Sequence, residues 1–97
     1  MSAPLDLTSP SPNDEQYAIA GYYSREALFF KFKAQEQAQR ALVYENLFGP
    51  ESEWVTGARL LERFYEDSAK EQERLATMHV SLADETRHAP HVKPTSP

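Results

Sequence analysis

The chain has 97 residues, a formal net charge of −5 and no cysteine. This length allows one small domain, and the lack of cysteine excludes disulfides and thiolate metal sites. Small domains without those supports often gain stability by associating with another chain.

Charge and hydropathy argue against two further classes of function. The few basic residues are interleaved with acids, so no clustered basic face for nucleic acid is expected. No run of about 18 apolar residues is present, and residues 1–12 lack the basic and apolar regions of a secretion signal. We therefore expect a cytoplasmic protein that neither binds nucleic acid nor spans a membrane.

A first long helix is predicted after a Ser/Pro-rich tail. Residues 1–12 are expected to be disordered. Asn13 and Asp14 offer capping oxygens, and no proline follows before Phe48, which predicts a helix over about 14–48. Its expected contact stripe is Tyr23, Ala27, Phe30, Ala34, Ala38 beside Gln37, Ala41, Tyr44 and Phe48.

A tight turn and a second helix follow. Gly49-Pro50 ends the first helix, and either Pro50 or Ser52 begins the second, which is predicted over about 51–86. Residues 89–97 are proline-rich and are expected to form a disordered C-terminal tail. The expected heptad stripe of the second helix is Trp54, Ala58, Leu61, Tyr65, Ser68, Gln72, Leu75, His79 and Leu82.

The predicted fold is an all-α, coiled-coil-like antiparallel hairpin of two helices within residues 13–88. A short connection makes the helices antiparallel neighbours, with facing residue numbers that add to about 99. Tyr44 and Phe48 should then meet a buried Trp54. We expect the hairpin to pair into a four-helix bundle or to dock on a partner.

Apolar side chains between Tyr22 and Phe32 point to nearly every side of the first helix, and one neighbouring helix cannot cover them. We call Tyr22, Tyr23, Leu28, Phe29 and Phe32 the aromatic girdle. The girdle predicts a surface that binds a protein partner, a second copy, or both. The favoured function is a non-catalytic interaction module, such as an adaptor, an assembly factor or a small chaperone.

A lid is the alternative explanation of the girdle. Gly21 could break the first helix and let residues 14–20 fold back over Phe29 and Phe32, giving a three-helix monomer.

An acidic belt suggests an alternative function. Glu66, Asp67, Glu71 and Glu73 could let a small phage or mobile-element inhibitor occupy the basic groove of a target.

A metal-binding bundle formed between chains is the least favoured function. Glu85 and His88 have the Glu-x-x-His spacing of bundle sites, and His79 and His91 are further candidate ligands. The first helix offers no matching carboxylates in the right place, so no metal or cofactor is expected. No nucleophile–base arrangement is recognisable, and we do not expect an enzyme.

Overall fold

The computed structural model describes residues 11–92, with side chains as far as Thr86, and consists there of two helices. Helix α1 spans Pro12–Phe48 and helix α2 spans Glu53–Val92. They pack against each other along their length, which confirms the predicted hairpin. Residues 1–10 and 93–97, which hold most of the two predicted tails, lie outside the described part of the chain.

Helix α1 begins earlier than predicted. Ser11 is its N-cap, and the Ser11 hydroxyl oxygen accepts a hydrogen bond from the Asp14 backbone N–H at 3.3 Å. Pro12 occupies the first helical position, where its missing N–H would have no partner in any case. The predicted caps at Asn13 and Asp14 are therefore wrong by two or three residues.

The predicted turn is confirmed. Gly49 has φ 93°, a conformation that favours glycine, and its N–H donates to the Glu45 carbonyl at 2.9 Å. Ser52 rather than Pro50 caps α2, accepting from the Val55 N–H at 3.3 Å. Helix α2 continues to Val92, so residues 89–92 belong to the helix and not to the predicted tail.

The hairpin core consists of alanines. Four of them recur every seven residues in α1, and three do so near the end of α2. The buried apolar residues, which we call the alanine seam, are Ala20, Ala27, Ala34, Ala41, Ala58, Ala69, Ala76 and Ala83. Gln37 is the one buried polar residue among those described. Such small side chains let two helices pack at the short end of the usual range of separations.

The predicted contact stripe is correct for α1 except at Phe48, which is 54% exposed. In α2 six of the nine predicted residues are buried or half-buried, namely Ala58, Tyr65, Ser68, Gln72, Leu75 and His79. Trp54, Leu61 and Leu82, however, are 59%, 45% and 40% exposed. At one of the two contact positions of each heptad the inward line runs one residue later than predicted, through Val55, Glu62, Ala69, Ala76 and Ala83. Its three buried members are alanines, which close helix packing admits.

The register agrees with the prediction. Tyr44 lies against Trp54, with ring centroids 5.5 Å apart, and their residue numbers add to 98. At the open end the Tyr17 hydroxyl donates to Asp84 at 2.6 Å, and these numbers add to 101.

The lid interpretation is wrong. Helix α1 runs through Gly21 without a break, and Tyr17, which would belong to a lid, bonds to α2 instead. Phe29 and Phe32 remain 52% and 59% exposed.

Enlarging the alanine seam should separate the helices. Ala41→Leu should lower the free energy of unfolding by about 1–3 kcal/mol, because Ala41 is fully buried and the added methylenes have no space between the backbones. Ala18→Leu makes the same substitution at an exposed position of α1 and should change it by less than about 0.5 kcal/mol. Urea denaturation of both variants tests this, and equal effects would contradict the alanine seam.

Because α1 is continuous through Gly21, replacing this glycine with alanine should stabilise the helix. A Cβ added there would meet only the flexible Arg25 side chain at 3.4 Å, so Gly21→Ala should raise stability by about 0.5–1 kcal/mol. Gly49→Ala, at positive φ, should lower it. Thermal melts measure both, and a destabilised Gly21→Ala would mean that α1 bends there.

Candidate interaction surface

Most of the large apolar side chains in the described part of the chain lie outside its core. Sixteen of them are exposed among the described residues. They are Ile19, Tyr22, Leu28, Phe29, Phe32, Leu42, Val43, Leu47, Phe48, Trp54, Leu60, Leu61, Phe64, Met78, Val80 and Leu82. The hairpin thus buries alanine and leaves most of its bulky apolar groups uncovered.

Most of these side chains follow a second line along each helix. The α1 line is Ile19, Tyr22, Glu26, Phe29, Lys33, Glu36, Arg40, Val43 and Leu47. The α2 line is Trp54, Gly57, Leu61, Phe64, Ser68, Glu71, Leu75, Met78 and Leu82. Steps of three and four alternate throughout both lines, which is the spacing of a helix–helix contact. We call these two lines together the apolar face.

Both lines lie on the same side of the hairpin. In both helices many members of the line come one residue before an inward position, as Glu26 comes before Ala27. One residue corresponds to a rotation of about 100° around the helix axis, so each line lies to one side of the inward direction. Because the helices are antiparallel, the two rotations lead to the same side of the hairpin. Arg40, Trp54 and Leu61 accordingly line one shallow groove of about 480 Å³.

Trp54 marks the loop end of the apolar face. It stacks on Phe48 with ring centroids 5.9 Å apart and also contacts Tyr44, which confirms the predicted cluster. The expectation that Trp54 is buried is wrong, since it points along the apolar face rather than into the alanine seam.

Polar residues cross the middle of the apolar face. Lys33 pairs with Glu36 at 3.2 Å, and its Nζ lies 5.9 Å from the centre of the Phe29 ring. Arg74 donates two hydrogen bonds to Glu71, at 3.1 and 2.7 Å, and these bonds lower the pKa of the Glu71 carboxyl. We call Lys33, Glu36, Ser68 and Glu71 the polar waist.

The structure divides the aromatic girdle between different surfaces. Tyr22 and Phe29 lie on the apolar face. Tyr23 is half-buried within the hairpin, where its ring stacks on His79 with centroids 5.6 Å apart. Leu28 and Phe32 instead line a groove on the opposite side.

That groove has a volume of about 700 Å³ and lies between α1 and α2. Ala34 and Ala69 contribute small side chains to its lining. An ion pair of 2.5 Å between Lys31 and Glu73 joins the two helices beside it. Since both partners are about half exposed, this pair contributes little to stability.

The predicted acidic belt is not one surface. Glu66 and Glu73 line the groove, and Glu73 is paired with Lys31. Glu71 belongs to the polar waist and is bound by Arg74. Asp67 is exposed on the outer side of α2.

The candidate metal ligands are not brought together within the described residues. No group of three or more His, Asp or Glu side chains there could hold a metal ion. The His79 Nδ1 donates to the Gln16 Oε1 at 2.5 Å, inside the hairpin. The side chains of His88 and His91 lie outside the described part of the chain.

Comparison with protein-family models, with curated proteins and with solved structures finds no match to this chain. In the described part of the chain, neither helix combines the length and the apolar character needed to cross a membrane.

Two neighbouring tyrosines test the division of the girdle. Tyr23→Ala should lower the free energy of unfolding by about 2 kcal/mol at every protein concentration, roughly half the cost for a fully buried ring. Tyr22→Ala should change the dilute protein by less than about 0.5 kcal/mol. Denaturation monitored by circular dichroism at low and high concentration measures both. Equal losses at low concentration would place both rings within the hairpin.

Proposed function

We propose that this chain is a non-catalytic protein–protein interaction module that docks another protein chain on its exposed apolar side chains. Tyr22, Leu28, Phe29 and Phe32 are the members of the girdle that remain available for this contact. The observation that carries the proposal is the inverted distribution of side chains, with alanine inside and aromatic and branched residues outside.

Hydrophobic energetics support an interface. A buried alanine methyl contributes about 0.8 kcal/mol, whereas covering one large apolar side chain contributes about 1.5–3 kcal/mol. Most of the hydrophobic free energy available to this chain is therefore released only when another chain covers it. Exposed apolar surfaces of this extent are typical of interaction sites.

The non-catalytic part of the proposal rests on the sequence, which has no recognisable nucleophile–base arrangement. The alternative of an acidic inhibitor stays a prediction. Its four carboxylates point in different directions, and two of them already have basic partners, so no feature of the fold favours it.

The girdle residues provide the test. Changing Phe29 to Glu and Phe32 to Lys should leave the chain helical, because neither ring lies in the alanine seam. The same change should abolish association, since an unpaired charge buried at an interface costs several kcal/mol and about 1.4 kcal/mol is already tenfold in affinity. Circular dichroism and light scattering on the same sample measure both effects.

A matched control separates charge from ring loss. Asn46→Glu with Gln39→Lys adds the same two charges at exposed positions of α1 that line neither groove and should preserve association. The unmodified chain should either associate or bind a hydrophobic dye. A compact monomer that binds no dye, or a Phe29/Phe32 variant that unfolds, would refute the proposed function.

A further inference from the structure

We propose that a second copy of this chain covers the apolar face. The two hairpins are related by a two-fold axis through the polar waist, with their loops at opposite ends of a four-helix bundle. This inference rests on the proposed function, because it requires the apolar face to be an interface.

Every seventh residue of the α2 line forms a pattern that is symmetric about the midpoint of the line. Every seventh residue along it gives Trp54, Leu61, Ser68, Leu75 and Leu82. A two-fold axis at Ser68 places Leu61 against Leu75 of the second copy, and Trp54 against Leu82, each twice. The small Ser68 lies where the two α2 helices cross the axis.

Every seventh residue of the α1 line is symmetric about Lys33 in charge as well as in hydropathy. Its seventh residues are Ile19, Glu26, Lys33, Arg40 and Leu47. An axis at Lys33 pairs Glu26 with Arg40 of the second copy, twice, and Ile19 with Leu47. Within one chain Glu26 and Arg40 are 14 residues apart on a helix, about 21 Å, so they meet only between copies.

One axis serves both lines. Residues in contact across the hairpin have numbers that add to between 95, for Phe30 and Tyr65, and 104, for Lys31 and Glu73. The numbers of Lys33 and Ser68 add to 101, so these two residues are level to within about one helical turn. Near the axis each of the two Lys33 side chains forms an ion pair with Glu36 of its own chain. The layer formed by these two ion pairs therefore has no net charge. A polar layer of this kind fixes the register of a bundle.

The opposite arrangement, with both loops at one end, is less favourable. It would pack α1 on α2 of the second copy and place Glu26 against Leu75 and Arg40 against Leu61. Both charges would then lose water without gaining a partner. The charge pattern thus selects loops at opposite ends.

The apolar face is large enough for a stable dimer. Residues 19–47 of α1 span about 42 Å, and two packed helices are about 20 Å wide. The contact is therefore roughly 800 Å² on each chain, the size of a standard specific interface.

Charge reversal with cross-complementation tests the axis. Glu26→Arg puts like charges together at both positions of a homodimer, and so does Arg40→Glu, so each variant alone should dimerise about tenfold more weakly than the unmodified chain. Mixed in equal amounts, the two variants should recover affinity to within about twofold, because each site of the mixed dimer then joins an acid to a base. The two substituted side chains meet at one site, and the unchanged Arg40 and Glu26 meet at the other. Sedimentation equilibrium measures the constants, and circular dichroism checks that each variant is helical.

A cysteine crosslink locates the axis independently. Because the chain has no cysteine, Ser68→Cys provides a single thiol, which should oxidise to a linked dimer since a disulfide needs Cα atoms within about 7 Å. Thr77→Cys, exposed on the other side of α2, should stay largely unlinked. Equal crosslinking of the two variants, or no gain on mixing the charge variants, would overturn the proposed dimer.

The outcomes separate this inference from the proposed function. If the unmodified chain is a monomer that binds a hydrophobic dye, the apolar face is open to an unlike partner and the second copy is refuted. A monomer that binds no dye refutes both. A dimer with the expected complementation supports both.

Discussion

Close contact between alanines is the constraint on which the rest of this structure depends. A helix pair that meets through Ala27, Ala34 and Ala76 leaves no room for a phenylalanine or a leucine at those positions. A few half-buried rings still stack across the hairpin, as Phe30 does on Tyr65 with centroids 6.1 Å apart. Most of the bulky apolar residues, however, are exposed outside the pair. The choice of side chains that forms the hairpin is thus also the choice that creates the apolar face.

An alanine seam alone does not select one register, because a shift of seven residues would again bring alanine against alanine. Directional contacts at the open end remove this ambiguity. The Tyr17 hydroxyl bonds to Asp84, and His79 bonds to Gln16 while stacking on Tyr23. The bond between His79 and Gln16 is partly buried, so a shifted hairpin would leave these polar groups without partners away from water and would be less stable.

The sequence was enough to predict the hairpin, its Gly49-Pro50 turn, the contact stripe of α1 from Tyr23 to Tyr44 and the aromatic cluster at Trp54. It was not enough to find the inward line of α2, because two lines run side by side there, one residue apart. Side-chain hydrophobicity favours the line that the structure leaves exposed, because leucine is a more usual core residue than glutamate or alanine. Leu61 thus competes with Glu62, and Leu82 with Ala83. The signal that distinguishes the lines is the seven-residue spacing of alanine in both helices. For the same reason the sequence did not predict that the girdle divides between surfaces. Tyr23 can be placed within the hairpin and Tyr22 on the apolar face only once the inward line is known.

Two contact lines about 100° apart give each helix two neighbours, which is the requirement of a four-helix bundle. The hairpin supplies one neighbour through small side chains, and in the proposed dimer the second copy would supply the other through large ones. Helix spacing follows side-chain size, so such a bundle is narrow within each hairpin and wide between hairpins. The groove lined by Leu28 and Phe32 lies on the opposite side of the hairpin from this contact. A second copy on the apolar face would therefore leave the groove, whose lining mixes Lys31 and Lys70 with Glu62, Glu66 and Glu73, open to an unlike protein.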